Sequence, residues 1–337
     1  MGIDKRMVAI IPLVAALFFS SPSPGVAADK VTFALDWLIY GKHAGFFAAE
    51  EKGFYRQNNL DVTIQRGYGS GDTAKRVGAG QAQFGFSDTT AVMLARTRGA
   101  NLKLIGMIHD RSMHTIMVLK GSGITKPKDL EGRKIGSPEQ NAVKIVFPAF
   151  ARANGVDLDK VKWVNMTPDA VAPSLLAGRV DGGGFYATEI PTVRAGAKKV
   201  GKDVHVIYYS KFGIDVYSNG LITTDKMIRE KPDLVRRFLR ATMKGVAWAV
   251  EHPEEATDIF VKAHPATSRD LARAHWAIAV DHLLTKPAKK FGIGYMTREK
   301  MKYTRATSVK YMNVKIDFPV QEVYTNDFLP KLFPKAR

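Results

Sequence analysis

The sequence predicts an α/β protein of two lobes, and the order of its segments indicates this. Short apolar strands alternate with helical segments up to about residue 117, which favours a mainly parallel sheet. Residues 118–216 show a different sequence pattern and are predicted to form strands and helices of their own. We therefore assign 29–117 plus 217–337 to lobe I and 118–216 to lobe II. The chain then crosses between lobes twice, which predicts a two-stranded hinge with a ligand cleft between the lobes.

Individual elements follow from local patterns. Val31–Leu35 is apolar and predicts a strand, and residues 43–52 predict a helix that stops at Gly53. In the middle of the chain, Gly182–Gly184 lie where a short strand enters a glycine-lined loop. From about residue 216 onward the pattern predicts mostly helix.

Composition excludes several classes of protein. The chain has 337 residues, of which 45% are hydrophobic and 24% charged, so it is neither disordered nor fibrous. It contains no cysteine, which excludes disulfides and a lipid-anchored amino terminus. The net charge is +18, but Lys and Arg are spread along the chain, so we expect no nucleic-acid partner. The positive balance is compatible with acidic ligands or a negative docking surface.

The first 28 residues have the layout of a secretory signal peptide. Lys5 and Arg6 precede an apolar run that ends at Phe19, and small residues follow at Val26-Ala27-Ala28. That order of charged start, short apolar middle and small-residue end predicts export, with cleavage after Ala27 or Ala28. A soluble periplasmic protein fits this reading.

An acid beside an indole marks a candidate binding site. Asp36 and Trp37 stand at the end of the first strand and are followed by a glycine- and aromatic-rich helix entry. A strand that only filled a core would not need this pair. Packing of Trp37 in a core or lid is the alternative reading.

Several segments together resemble a known family. They are "LDW" with a later "GFY…NLDV", "AGQAQFGFSDT", "ITKPKDLEGRKIG", "LLAGRVDG" and "YSNGLITTDKMIREKPDLVRRFLRATMKG". These resemble the thiamine-pyrimidine-synthesis-like superfamily of periplasmic solute-binding proteins of ABC importers over roughly residues 31–270. The resemblance implies the type II periplasmic binding fold, a small-molecule ligand, and transient docking on an inner-membrane ABC permease.

Within that superfamily, two places resemble the pyrimidine-binding branch. The first is Asp36-Trp37 with His43, and the second is Tyr186 and Glu189 after the glycine run. The resemblance implies that Trp37 and Tyr186 sandwich a planar ring and that Asp36 and Glu189 accept hydrogen bonds from its amino groups. Residues 38–40 depart from the branch, since Leu-Ile-Tyr replaces its usual Pro-Asn and makes the pocket more apolar.

Further candidate ligand contacts come from helix starts and lobe crossings. Free N–H groups at a helix start bind anions or polar atoms. Ser137 with Pro138 is read as the N-cap and first residue of a helix. The candidates of this kind are Ser87, Asp88, Ser137, His114 and Tyr217, with Asn141 and Asn219 as weaker ones.

We expect a monomeric binding protein without a cofactor, metal or catalytic residue. A thiamine pyrimidine precursor is the first choice of ligand, and a flavin, an aromatic acid, or a sulfonate or nitrate anion are the alternatives. A sensor subunit that reports ligand status to a membrane receptor is another possibility. A pyrimidine-synthesising enzyme on the same fold is set aside, because that branch carries a cysteine-rich motif and this chain has no cysteine.

Overall fold

The computed structural model describes residues 1–2 and 27–335 and contains two five-stranded sheets. The predicted signal peptide therefore lies almost entirely outside the described residues. The strands are β1 (Asp29–Ala34), β2 (Leu60–Gln65), β3 (Phe84–Asp88), β4 (Leu102–Met107), β5 (His114–Leu119), β6 (Lys134–Ser137), β7 (Lys162–Asn165), β8 (Gly182–Tyr186), β9 (Val204–Tyr208) and β10 (Asn219–Thr224).

Thirteen α-helices, counted over the described residues, surround the sheets. They are α1 (Ala44–Glu51), α2 (Phe54–Gln57), α3 (Ser70–Gly78), α4 (Thr89–Thr97), α5 (Ala142–Ala153), α6 (Pro168–Leu176), α7 (Ile190–Lys199), α8 (Asp225–Glu230), α9 (Pro232–Glu251), α10 (Pro253–Ala263), α11 (Arg269–Leu283), α12 (Lys286–Phe291) and α13 (Arg298–Met312). Within the described part of the chain, no helix combines the length and apolar character needed to cross a membrane.

The first sheet has the strand order β2-β1-β3-β10-β4 and is mixed. Strands β2, β1 and β3 are parallel, whereas β10 runs antiparallel to β3 and β4. The sheet is thus mainly parallel, as expected, and β10 is its one strand that runs in the opposite direction. This strand also lies in the stretch predicted as mostly helical, and it forms because its apolar Leu221 and Ile222 are fully buried between β3 and β4.

The first lobe is built around this sheet. One apolar cluster joins β1, β2 and β3 to α1, α9, α10 and α11, and Phe33, Phe46 and Phe238 pack edge to face inside it. A second cluster joins the sheet to α3, α4 and the carboxyl-terminal segment. Because helices bury both faces of this sheet, its strands consist of nearly continuous runs of apolar residues.

The second lobe is built around the sheet β7-β6-β8-β5-β9. Its central strand β8 contains Gly182–Gly184, so the prediction of a glycine-lined loop there is wrong. A side chain on Gly182 would lie 3.0 Å from Ile135 of β6 and Val118 of β5. Glycine in this central strand therefore leaves room for the large side chains of the two neighbouring strands.

Two chain segments, 108–113 and 209–218, join the lobes. They are hydrogen-bonded to each other, because the Ser218 N–H donates to the His109 carbonyl at 3.1 Å. The His109 N–H donates to the carbonyl of Asn219, the first residue of β10, at 2.9 Å. The predicted boundary at residue 117 falls inside β5, which pairs with β8 and β9 throughout. The residue limits assigned to the lobes stay a prediction.

Candidate ligand-binding site

The first half of the candidate site is the loop that follows β1. Asp36 and Trp37 lie where β1 ends, and both are buried, with 3% and 5% of their surfaces exposed. Their carbonyl groups accept hydrogen bonds from the Gly69 and Gly67 N–H groups at 2.9 and 3.0 Å. A side chain on Gly67 would come within 2.7 Å of the Asp36 backbone, so this close approach requires glycine.

Asp36 is held by two basic side chains. The Lys42 ammonium lies 2.7 Å from Asp36 Oδ2, and His43 Nε2 lies 3.2 Å from Asp36 Oδ1. The Tyr40 N–H donates to His43 Nδ1 at 3.3 Å, so Nε2 carries the imidazole proton and donates to Asp36.

The charge states in this group follow from burial and pairing. Burial alone would raise the pKa of Asp36, but the Lys42 charge and the hydrogen bonds from His43 and Lys42 hold that pKa well below its usual range. Burial lowers the pKa of His43 to about 4. At neutral pH the group is thus a carboxylate–ammonium pair with a neutral imidazole.

The second half of the site comes from the end of β8. Glu189 lies in the single 3-10 turn after Tyr186, and its Oε2 accepts the Tyr186 N–H at 2.9 Å. Its Oε1 accepts the Trp37 indole N–H at 3.0 Å, which joins the two lobes. Burial raises the pKa of Glu189 to about 7, because the two N–H donors and the Lys42 charge offset only part of the lost hydration.

The Tyr186 hydroxyl makes a second contact between the lobes. It donates to Asn219 Oδ1 at 2.6 Å and lies 3.3 Å from Asp88 Oδ2. Asp88 is the N-cap of α4, as expected, because its Oδ1 accepts the Thr90 N–H at 2.9 Å. His114 Nε2 lies 3.0 Å from Asp88 Oδ2, although the contact is poorly aligned for a hydrogen bond. These side chains form the floor beneath the Tyr186 ring.

Residues of both lobes enclose a small cavity at this junction. Its volume is about 10 Å³, which is room for about one water molecule. The lining residues are Asp36, Trp37, Ser70, Asn141, Ala142, Tyr186 and Glu189. Four of the predicted ligand contacts thus line one cavity, together with the weaker candidate Asn141.

The prediction that Ser137 caps a helix is wrong. Ser137 ends β6, and α5 begins at Ala142 with Asn141 as its N-cap, whose Oδ1 accepts the Val143 N–H at 2.8 Å. Asn141 Nδ2 donates to the Gly184 carbonyl at 3.1 Å, which ties the start of α5 to β8. A four-residue turn thus separates the strand from the helix and brings the amide, instead of the hydroxyl, to the cavity.

Other predicted contacts lie outside the cavity lining. The Ser87 hydroxyl donates to the Ser70 carbonyl at 2.9 Å and supports the residue that does line it. Tyr217 is buried in the first lobe, where its hydroxyl accepts the Thr297 N–H at 2.8 Å. His43 lies behind Asp36, and Asp88 and His114 lie beneath Tyr186. Direct ligand contact by these residues stays a prediction.

Sequence reasoning missed Lys42 and Ser70. A fully buried lysine is rare, so the pattern "GKH" gave no reason to place the Lys42 ammonium inside the protein. Ser70 opens α3 and is buried at 1% exposure. The only signal for it was the glycine-rich turn before that helix.

A larger cavity, of about 780 Å³, lies next to the hinge segments. Its walls carry charges of both signs, including Asp110, Asp215 and Lys300. We place the candidate site at the smaller cavity because an aromatic side chain from each lobe, Trp37 and Tyr186, lines it, whereas Tyr303 is the one aromatic side chain that lines the larger cavity.

Comparison with known proteins places the chain in a family. The model of the family described as "NMT1/THI5 like" matches residues 41–256. The chain belongs to the NMT1/THI5-like family. The resemblance to thiamine-pyrimidine proteins is thereby confirmed.

Curated relatives of this NMT1/THI5-like protein carry two kinds of name. A 4-amino-5-hydroxymethyl-2-methylpyrimidine phosphate synthase of Candida albicans is 28% identical over 255 residues, covering 73% of this chain and 75% of that protein. A formylaminopyrimidine-binding protein of Halalkalibacterium halodurans is 25% identical over 265 residues, covering 76% and 79%. The prediction that excluded an enzyme is wrong, because several curated relatives are named as synthases.

Solved structures confirm the predicted periplasmic-binding-protein fold with two lobes. The alkanesulfonate-binding protein of Xanthomonas axonopodis pv. citri aligns with a TM-score of 0.69 at 11% identity, over 88% of this chain and 98% of that one. The periplasmic aliphatic sulphonate binding protein of Escherichia coli aligns with a TM-score of 0.65 at 14% identity, over 89% and 99%. At these identities the likeness shows the fold alone.

Proposed function

We propose that this protein is the solute-binding component of an ABC importer and captures a small planar heteroaromatic ligand of the thiamine-pyrimidine type between its lobes. It acts in the periplasm after removal of residues 1–28 and docks transiently, as a monomer, on a membrane permease. The signal-like sequence and the periplasmic description of the Escherichia coli structural neighbour support the location.

The observation that carries this proposal is the contact of Trp37 with Glu189 beside Tyr186. The indole comes from the first lobe, while the carboxyl and phenol groups come from the second, and all three line one cavity. A ligand between them touches both lobes at once. Such a site binds only when the lobes close, as hinged binding proteins require.

The chemistry of these groups suits a planar ring that carries amino groups. Aromatic faces contribute about 0.5–1.5 kcal/mol beyond burial when they stack. A buried carboxyl accepts from an exocyclic amino group, and an analogue lacking that donor leaves the carboxyl unpaired at a cost of about 1–3 kcal/mol. None of the residues that line the cavity is cationic, so a sulfonate or nitrate anion would lie there without an ion-pair partner.

Ligand entry requires the lobes to separate. A cavity of about 10 Å³ does not admit a ring, and the hinge segments 108–113 and 209–218 are the two links that must bend. The ligand then stabilises the closed form in proportion to its preference for that form. Opening by the permease would release it.

Synthesis of the pyrimidine phosphate is the second candidate function. The names of the Candida albicans and Legionella pneumophila relatives favour it. A synthase and a binding protein of this family share the recognition of a pyrimidine, so the same cleft would serve both.

Native mass spectrometry of the chain without residues 1–28, purified without refolding, tests the proposal. We expect one aminopyrimidine per chain, and we expect Glu189→Ala to lose it while Glu139→Ala, an exposed carboxylate change, retains it. A retained flavin or sulfonate, or no preference for pyrimidines in calorimetric titrations, would overturn the ligand assignment. Pyrimidine phosphate that accumulates on incubation with a cell extract would favour the synthase.

A further inference from the structure

Lys42 is buried beside Asp36 and Tyr186, two residues that line the cavity of the candidate site. Only 2% of its surface is exposed, and its ammonium is 2.7 Å from Asp36 Oδ2. The ammonium also lies over the Tyr186 ring, 5.1 Å from its centroid, and 5.9 Å from the centroid of Phe86. It therefore reaches from the first lobe to an aromatic face of the second, at cation–π distance.

Lys42 and Asp36 cancel each other's charge beside the cavity. Both Asp36 oxygens are engaged, Oδ2 by Lys42 and Oδ1 by His43. The imidazole of His43 is neutral, since burial lowers its pKa to about 4. Of the two carboxyls that line the cavity, only Glu189 lacks a cationic partner within ion-pair distance. Burial raises the pKa of Glu189 to about 7, so below that pH this carboxyl is mainly uncharged as well.

Removing either member of this pair would leave an isolated charge in a water-poor site. A buried charge without its partner is costly, and a ligand of opposite charge would relieve that cost. The pair thus makes the site unfavourable for a ligand that carries a net charge. Discrimination of this kind depends on what the site repels as well as on what it attracts.

We propose that Lys42 determines the charge class of the ligand: by cancelling Asp36, it makes the site select an uncharged heteroaromatic amine over permanently charged molecules of the same shape. This inference rests on the proposed binding function and names the residue that sets its specificity. Glu189 is then the carboxyl that meets the ligand's amino group, and Asp36 acts through Lys42.

Three probes that share one ring test this inference. They are 4-amino-5-hydroxymethyl-2-methylpyrimidine, its ring-N-methylated cation, and the corresponding 5-carboxylate anion, titrated calorimetrically at a pH where the first is uncharged. We expect the unmodified protein to bind the neutral probe at least about tenfold more tightly than either charged probe, a difference of about 1.4 kcal/mol. Lys42→Met should shift the ratio of cation to neutral affinity by about tenfold or more toward the cation.

Two further variants separate charge from shape. Asp36→Asn leaves the ammonium without its partner and should shift preference toward the carboxylate probe. The double variant Asp36→Asn/Lys42→Met has no charge at either position and should regain the preference for the neutral probe. If Lys42→Met does not fold, the opposite shifts expected of Asp36→Asn and the double variant still decide the matter.

The outcomes distinguish this inference from the proposed function. If the unmodified protein binds the neutral probe and its preference is unchanged in Lys42→Met and Asp36→Asn, the role of Lys42 is overturned and the binding function stands. If the double variant prefers the same charged probe as either single variant, the charges at these two positions do not set the preference for the neutral probe, and the inference fails. If the unmodified protein binds none of the three probes, the proposed function fails and this inference fails with it.

Discussion

Glu189 joins the two lobes through a carboxyl group that has lost its hydration. It accepts one N–H from its own lobe and the Trp37 indole N–H from the other. Because burial raises its pKa to about 7, the folded protein holds a proton there that the unfolded chain releases near its ordinary value. Between those two values, the free energy of unfolding must fall as the pH rises.

Glu189→Gln should remove this loss of stability with rising pH. The unmodified protein loses up to about 3 kcal/mol from this group between pH 5 and pH 8, whereas the amide does not titrate. Urea unfolding at both pH values measures the difference, with Glu139→Gln as a surface control. A pH dependence that is the same in all three proteins would show that Glu189 does not hold the proton.

His43 contributes to stability with the opposite sign. Burial lowers the pKa of His43 to about 4. Between about pH 6.5 and pH 4 the imidazole is therefore protonated in the unfolded chain but mainly neutral in the folded protein. Stability from this group is present above about pH 6.5 and is lost as the pH falls toward 4. His43→Gln should reduce the loss between pH 7 and pH 5 by up to about 2 kcal/mol, measured as the change in unfolding free energy between the two pH values. An unchanged difference would contradict this, whatever the variant's overall stability.

Trp37, Tyr186 and Glu189 were predicted from sequence as site residues and line the cavity, whereas Lys42 was not predicted. The first three stand at strand ends, and the resemblance to the pyrimidine-binding branch marks them. Lys42 lies in the short 3-10 turn Gly41–His43, and a lysine in such a turn is normally solvated. Its burial depends on Asp36 and on the Tyr186 ring of the other lobe, which no local pattern reveals.

At the scale of elements, the fold prediction succeeded where contacts are local and failed where they are not. The βα alternation of the first segment is a local pattern and was predicted. Strand β10 was missed because it is only six residues long and stands before a run of helices. Its partners β3 and β4 precede the second lobe in the sequence, whereas β10 follows it, so no local pattern indicates the pairing. The start of α5 was misplaced because Ser137-Pro138 matches a cap pattern better than Asn141 does.

Helices α1 and α9 approach each other closely at two glycines. A side chain on Gly245 would lie 2.6 Å from the Gly45 carbonyl oxygen and would also meet Ala49. Neither neighbour is a flexible side-chain end, so the helices would have to move apart. Close contact of these backbones explains a glycine in the middle of a 20-residue helix.

Gly245→Ala should destabilise the protein by about 1–3 kcal/mol, despite a gain of up to about 1 kcal/mol in helix propensity. Gly196→Ala is the matched control within α7. A side chain there would meet only the Leu176 Cδ1 methyl group, at 2.7 Å, which can rotate away. We expect Gly196→Ala to be neutral or slightly stabilising in urea unfolding. Equal effects of the two substitutions would contradict the packing explanation.

At the scale of the whole molecule, polar contacts at the site join the lobes, together with contacts elsewhere such as Thr192 Oγ1 with His275 Nε2 at 2.8 Å. The Tyr186 hydroxyl makes one of them, with Asn219 at 2.6 Å and Asp88 at 3.3 Å. Trp37 with Glu189 makes another. Opening therefore exposes the groups that we propose contact the ligand, so the proposal links ligand affinity to lobe closure.

Tyr186→Phe keeps the aromatic face and removes only the hydroxyl. The closed form should lose about 1–3 kcal/mol, because Asn219 and Asp88 are left without this donor. That loss shifts the equilibrium toward the open form by roughly 5- to 150-fold and weakens ligand binding to the extent that the open form becomes populated. The distance between spin labels on α5 and α9 reports the opening, and calorimetry reports the affinity.

Tyr55→Phe is the control for this change. Its hydroxyl is also buried and hydrogen-bonded, to Thr242 at 3.2 Å, but both residues belong to the first lobe. It should lower the unfolding free energy of the protein by about 1 kcal/mol without changing the distance between the labels. If Tyr55→Phe opens the lobes as much as Tyr186→Phe does, then general destabilisation causes the opening. If neither does, contacts other than the Tyr186 hydroxyl hold the lobes closed.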